Sequence, residues 1–311
     1  IYILLALTFG YTMIVAESAL GRMTRKSPVG AFKAFGKKAG WLSFGGWINA
    51  IIPVLIVPYY SVIGGWVVKY LFEYIRGNGS KLAEDGYFSG FISNGGATEI
   101  CFVIFCMFTL VIIYAGVQNG IERVSKIMMP ILIVLSVIIA IYSVTRPGAI
   151  EGVKYFLVPN VKNFSWMTVV AAMGQMFYSL SIAMGILVTF GSYMRKDTSI
   201  EDSTRNVEIF DTAIAMMAGL MIIPAVFAFS GGDPDTLQAG PSLMFITIPK
   251  VFANMGFGTA VGILFFVLVL FAAVTSSIAL TESAVSTFED ELGWGRKKAT
   301  VLVGVIMLVL G

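Results

Sequence analysis

The stretch MGQMFYSLSIAMGILVTFGSYM, residues 173–194, is apolar enough to cross a bilayer, yet it is punctuated like a helix that does not stay whole. Gly174, Gly185 and Gly191 interrupt it, and hydroxyls stand at Ser179, Ser181 and Thr189. In hydrocarbon every backbone N–H and C=O needs a partner inside the protein, so an unwound turn survives only beside protein or a wet cavity. Unwinding near 179–185 would free carbonyls for a cation and amides for an anion. Small residues also let helices pack closely, so packing stands beside unwinding as a reading of this segment.

The flanking sequence has the same solvent in mind. Hydrophobic residues make up 57% of the 311 positions and charged residues 13%, with a mean hydropathy of +0.86. Soluble domains carry about 25% charged residues, so the chain reads as an all-α, polytopic membrane protein forming a single transmembrane domain over 1–311. A crossing helix needs roughly 20 apolar residues. Apolar segments fall at 1–20, 42–75, 99–117, 125–145, 166–193, 205–230, 258–288 and 298–311. The chain opens and closes on apolar runs, and both ends are expected to be cut; the opening run has no basic flank and is not a signal peptide. The absence of His excludes most zinc, haem and His-base chemistry. Cys101 and Cys106 share one apolar run without CxxC spacing and read as packing residues.

Orientation follows from Lys and Arg in the short loops. Arg22, Arg25, Lys26, Lys33, Lys37 and Lys38 sit in the first connection. Alternate connections add Arg123 and Lys126, then Arg195, Lys196 and Arg205, then Arg296, Lys297 and Lys298, so most of the 21 basic residues lie on one side. Loops near 21–41, 118–125, 194–205 and 289–298 are therefore expected to be cytoplasmic, in a multi-pass protein of the cell (plasma or inner) membrane. MTRKSPVGAFKAFGKKAGW (23–41) reads as a short interfacial helix. The outer segment 230–255 is long, with a half-apolar tail, and reads as a lid.

Other polar groups stand out inside apolar runs. FAAVTSSIALTES (271–283) sets Thr275, Ser276 and Ser277 together. An intramembrane Ser usually bonds back to its own helix, but three consecutive hydroxyls point in different directions, so at least one meets a neighbour or a cavity. A Thr–Ser pair with a carbonyl from the preceding turn would give sodium three hard oxygens; helix packing is the equal alternative. Glu17 and Asp211 are acids in apolar context, a costly placement that marks a partner or a pathway unless each is solvated at the interface. Glu208, Glu289, Asp290 and Glu291 read as loop-edge charges. Tyr59 and Tyr60 lie about 27 Å along a helix that starts near Trp41, deep enough for a buried phenol to need a partner.

The strings ESALGR (17–22), PYYSVIGGW (58–66), GQMFYSLSIAMG (174–185), IPAVFAF (223–229), LFAAVTSSIALTES (270–283) and EDELGW (289–294) resemble the bacterial neurotransmitter:sodium symporters, in order and from end to end of the chain. The resemblance implies the leucine-transporter-type inverted-repeat bundle with a broken sixth helix. The chain would correspond to its second to ninth helices, so the first, which supplies many ligands, and the tenth would be missing. By the same resemblance Tyr60 bonds the substrate carboxylate and Ile56 lines the side-chain pocket. Tyr178 is the outer aromatic lid, Ser179 a sodium ligand touching the substrate carboxylate, and Ser181 and Met184 line the pocket. Ala272 (through its carbonyl), Thr275 and Ser276 form the second sodium site; Ser276 also borders the substrate, and Leu280 walls it. Glu17 braces the unwound backbone, Gln175 belongs to the outer gate, and Gly185 remains available at the break.

Four departures from the family pattern carry consequences. Asp211 stands where many members have a sodium-binding asparagine, and Ala215 where chloride-dependent relatives have serine. A fixed carboxylate can supply the charge of a bound chloride, so chloride independence is expected. Ala183 falls where glycine is common. Met184 replaces an aromatic, and a flexible thioether re-packs around varied shapes.

The resulting expectation is a secondary transporter, not an enzyme. It would couple Na+, as co-transported ion and without organic cofactor, to a neutral hydrophobic or aromatic amino acid by alternating access. A proton-coupled amino-acid permease of the same architecture or a transporter-like amino-acid sensor is the alternative. The other expected partner is the lipid bilayer; no nucleic acid is expected, and no oligomeric state is implied. A channel lacks a filter motif here, and an intramembrane enzyme lacks any nucleophile–base pair.

Overall fold

The computed structural model describes residues 1–35, 41–160, 162, 164–233, 237 and 240–311. Lys37 and Lys38 of the first basic loop, and 234–236, 238 and 239 of the outer segment, lie outside the described residues. The described residues form helices joined by short turns: α1 Tyr2–Thr24, α2 Pro28–Phe35, α3 Leu42–Ile75, α4 Gly79–Leu82, α5 Tyr87–Ser93, α6 Gly95–Tyr114 and α7 Val117–Val144. They continue with α8 Ala149–Leu157, α9 Trp166–Ser179, α10 Ile186–Tyr193, α11 Ile200–Ser230, α12 Leu243–Ala253, α13 Gly258–Leu292 and α14 Arg296–Leu310. Of these, α1, α3, α6, α7, α11 and α13 are long and apolar enough to cross a membrane. The fold is all-α and multi-pass.

The helices outrun the apolar runs that announce them, because hydropathy marks the bilayer rather than the last hydrogen bond of a helix. The reversal between α6 and α7 falls at Ala115–Gly116, where Gly116 has φ +93°. Residues 118–125, expected as loop, are already helical, with Glu122 and Lys126 paired at i,i+4 on the solvated end. Ser199 caps α11 by accepting the Asp202 N–H, so that helix starts at Ile200 and the connection before it is shorter than 194–205. Likewise α13 runs to Leu292, leaving 293–295 in place of 289–298. The 166–193 segment is two helices, α9 and α10, parted by residues 180–185.

The core is built on α3 and α13, the most extensively packed helix pair. On one side Phe102, Phe105 and Cys106 of α6 and Val303 and Met307 of α14 close over them. On the other, an aromatic cluster joins Tyr70 and Tyr74 of α3 to Phe265 and Phe266 of α13 and to Phe245 of the outer segment. Tyr70 donates its hydroxyl to the Phe245 carbonyl at 2.8 Å, so the described part of the outer segment is docked on the bundle. Lys250 ties it to Asp85 of the turn between α4 and α5 at 2.5 Å.

Three of the four acids read as loop-edge charges stitch the opposite end together. Glu291 pairs with Lys33 of α2, Asp290 accepts the Ser27 N–H, and Glu289 lies 3.6 Å from Arg296. Glu208 departs from that reading: it is 4% exposed, and its Oε1 has no hydrogen-bond partner among the described residues. Its helix begins two turns earlier, which carries it into the bundle. Below the level of the break, Glu282 is fully buried. Arg296 holds it through Nη1 at 3.0 Å and Nη2 at 2.5 Å, Tyr193 donates to it at 2.7 Å, and Arg296 Nε caps the Ile113 carbonyl at 2.9 Å. One network thus links α6, α10, α13 and α14. Removing one partner of a buried ion pair strands the other, at a cost of about 3–5 kcal/mol. Arg296→Met should therefore lower the thermal unfolding midpoint of the detergent-solubilised full-length protein sharply, while the exposed control Lys126→Met leaves it unchanged.

Candidate functional site

The break in the α9–α10 segment is held by local bonds and by one long-range bond. α9 ends as Ser181 N–H reaches the Tyr178 carbonyl at 3.3 Å and Ile182 N–H the Phe177 carbonyl at 3.0 Å. Ser181 (φ +56°) and Ala183 (φ +61°) occupy the left-handed region, which costs an L-residue about 1–2 kcal/mol. The freed Ala183 N–H is taken by Glu17 Oε1 of α1 at 2.8 Å, while Glu17 Oε2 has no partner among the described residues. Gly185 has φ +70°, and a Cβ there would meet Pro28 Cγ at 2.7 Å and the Asn49 carbonyl at 3.0 Å. Only glycine satisfies both conditions. Past the break, α10 lies against α1 backbone to backbone: a Cβ on Gly21 would stand 1.9 Å from the Val188 carbonyl, and one on Gly191 2.5 Å from that of Ser18. Both readings of the punctuated segment hold at once: it unwinds at its centre and packs closely at its end.

Beside the break lies a cavity of about 420 Å³. α3 contributes Ile56 and Tyr60; α9 contributes Gln175, Tyr178 and Ser179; the unwound residues contribute Ser181 and Met184. Asp211 enters from α11, and Thr275, Ser276 and Leu280 from α13. These residues are scattered over more than 220 positions of sequence, and the fold gathers them around one space. Of the remaining residues singled out from the sequence, Ala272, Glu17 and Gly185 are not on its wall. Glu17 and Gly185 shape the break instead, and Ala272 presents its carbonyl to the Thr275 hydroxyl at 3.0 Å, which places those two oxygens side by side.

The polar groups sort by direction. The Thr275 hydroxyl bonds back to the Phe271 and Ala272 carbonyls, Ser276 borders the cavity, and buried Ser277 accepts from Thr109 at 3.2 Å. Tyr60 borders the cavity too, whereas Tyr59, one residue and about 100° away on the helix, is 60% exposed and does not. Asp211 draws three helices together: Ser179 donates to its Oδ1 at 3.0 Å and Oδ2 at 2.9 Å, and Tyr2 of α1 donates to Oδ2 at 3.0 Å. The acid in apolar context has partners as well as a cavity.

Several wall residues went unread in the sequence. Ala279 could have been found as the residue one turn past Thr275 and Ser276; Met129 and Ile186 look like any other apolar position. Tyr2, 209 positions from Asp211, carries no local signal at all.

Residues 87–311 match the sodium:neurotransmitter symporter family. The chain belongs to that family. Among its relatives, the sodium-dependent transporter YhdH of Bacillus subtilis is 35% identical over 314 residues, which cover 100% of this chain and 68% of YhdH. A sodium-dependent transporter of Haemophilus influenzae is 32% identical over 97% of this chain and 68% of its own length. More distantly, the sodium- and chloride-dependent GABA transporter 2 of Homo sapiens is 24% identical, with 61% of its length covered. The crystal structure of MhsT in complex with L-phenylalanine superposes with a TM-score of 0.87 at 36% identity, over 99% of this chain and 70% of MhsT. The symporter's fold is thus the leucine-transporter fold, and its relatives are sodium-dependent transporters rather than enzymes.

The left-handed residues at the break make a direct test. Ala183→Gly should raise the unfolding midpoint modestly, by the equivalent of roughly 0.5–1 kcal/mol once the added freedom of the unfolded chain is subtracted. Gly185→Ala should lower it, since the methyl group meets both strain and the Pro28 ring.

Proposed function

We propose that the chain forms the substrate- and sodium-binding part of a symporter for a neutral hydrophobic or aromatic amino acid, working by alternating access in the cell membrane. The observation that carries this reading is the cavity beside the break, lined both by apolar side chains and by side-chain oxygens. Ile56, Met184, Ile186, Ala279 and Leu280 make an apolar wall suited to an uncharged side chain. Ser179, Asp211, Thr275, Ser276 and Tyr60 add side-chain oxygens to the lining. The volume falls within the usual range for small-ligand sites, and the similar MhsT was crystallised with L-phenylalanine.

In this reading Tyr60 donates to the substrate carboxylate. Ser179 and Asp211 serve one sodium ion, and Thr275, Ser276 and the Ala272 carbonyl serve a second. Sodium wants several hard oxygens, and both groups supply them without a thiol or imidazole. Tyr178, half exposed at the cavity edge, closes over the substrate with Gln175. Glu17 keeps the unwound backbone in register while the two states interchange, and sodium drives the shift only through its different affinity for them. The basic connections after α1, α6, α10 and α13 face the cytoplasm.

Asp211 bears on anion dependence. Its carboxylate, fixed by Ser179 and Tyr2, supplies beside the sodium ligands the negative charge that a chloride ion would otherwise bring, so transport needs no chloride.

Uptake of radiolabelled Trp, Tyr, Leu, Ala and Glu by the full-length gene product in proteoliposomes tests the whole reading. With an inward sodium gradient, an apolar or aromatic member should accumulate, and replacing sodium by choline should abolish uptake. Uptake driven by protons alone would identify a permease, and binding without uptake a sensor. In chloride-free buffer the wild type should keep its rate, whereas Asp211→Asn should lose most of it; an unchanged chloride-free rate in that variant removes the charge-substitution role.

A further inference from the structure

At the end of α1 remote from Tyr2 lies a groove of about 660 Å³ that plays no part in the site above. Its floor is a helical stripe at i, i+3, i+4 and i+7: Ala16, Ala19, Leu20 and Met23. Met23 is 66% exposed. Arg22 and Arg25 of the same helix end line the groove as well, with Lys196, just beyond α10, and Ile200 at the start of α11. We propose that this groove is a binding site for an anionic phospholipid of the cytoplasmic leaflet, with the headgroup phosphate among the three cations and an acyl chain along the stripe.

The cations are held open for a ligand. Arg22 donates one guanidinium nitrogen to the Thr198 carbonyl, and Arg25 donates one to the carbonyls of Ser192 and Met194. Those bonds fix the planes of the two guanidinium groups and leave their other N–H donors uncommitted. Among the described residues no carboxylate pairs with Arg22, Arg25 or Lys196, because the nearby acids Asp197 and Asp202 are taken by Arg195 and Arg205. Arg25 itself sits at φ +55° and ends α1 in the left-handed region, a conformation an L-residue keeps only where its surroundings impose it. Anionic lipids concentrate in the cytoplasmic leaflet, and basic pockets between transmembrane helices on that side take their headgroups. A free phosphate would meet the same cations but leave the apolar stripe uncovered; a lipid covers both. The same arginines grip the backbone that follows α10, so a bound headgroup would brace the inner half of the broken helix against α1.

The leaflet assignment rests on the orientation given under Proposed function; the groove's chemistry does not. Native mass spectrometry of the full-length protein in detergent with added phosphatidylglycerol or phosphatidylcholine tests the site without any transport readout. The wild type should retain phosphatidylglycerol in preference. Lys196→Glu, which breaks no hydrogen bond or ion pair among the described residues, should weaken retention about five-fold or more, and Ala16→Trp, which fills the floor from its exposed face, should do the same. Equal retention by wild type and both variants, or displacement of the lipid by inorganic phosphate, overturns the proposal. Labelling of Lys196→Cys in intact cells by a membrane-impermeant maleimide would overturn the orientation, and with it the leaflet, whatever the detergent result.

Discussion

Everything distinctive about this protein follows from one unfavourable object, a helix interrupted where water is scarce. Six residues between α9 and α10 leave the helical ladder, and in an apolar bundle their backbone groups need partners from elsewhere. The Leu180, Ser181 and Ile182 N–H groups bond back to carbonyls of α9, and Glu17 takes the Ala183 N–H. An intramembrane acid is expensive unless it has work of this kind. Ser181 and Ala183 keep left-handed φ values beside that bond, and Pro28 of α2, Asn49 of α3 and Ser283 of α13 crowd the Gly185 position.

The frame that makes this possible is α13. Its middle carries Thr275 and Ser276 at the level of the break, and two turns further on Glu282 anchors Arg296 and Tyr193. Tyr193 is the last residue of α10. The inner half of the broken helix is therefore tied at one end to the unwound residues and at the other, through a buried ion pair, to the same long helix that presents the cavity oxygens. The cavity wall and the buried ion pair thus share a single long helix.

The legibility of the site followed the range of the forces behind it. The break could be read because glycine and hydroxyl punctuation within an apolar run is a local signal with a local cause. Three adjacent hydroxyls at 275–277 could be expected to diverge because helix geometry turns each by about 100°. The same rotation separates Tyr60 from Tyr59, but which one faces inward depends on where α3 meets α13, and no residue in PYYS encodes that meeting. Glu208 looked like a loop-edge acid because it precedes the apolar run of α11; the capped helix start at Ser199 places it two turns inside the helix, where it is buried. Tyr2 became a partner of Asp211 only through the packing of α1 against α9 and α11.

The sequence by itself determined the solvent, the helical class, the charge asymmetry between the two sides, the location of the interruption, and family membership. These rest on composition and on interactions spanning one or two turns, which a linear string records directly. The family resemblance implied a shared site for Tyr60, Ser179 and Ser276 and a bracing role for Glu17; tertiary structure alone decided that Tyr2 meets Asp211, that Met129 and Ile186 join the cavity wall, and that Arg22, Arg25 and Lys196 line one groove with an apolar stripe. Those outcomes depend on the rotation and depth of each helix against its neighbours, which are set by the summed packing of many apolar side chains rather than by any short motif.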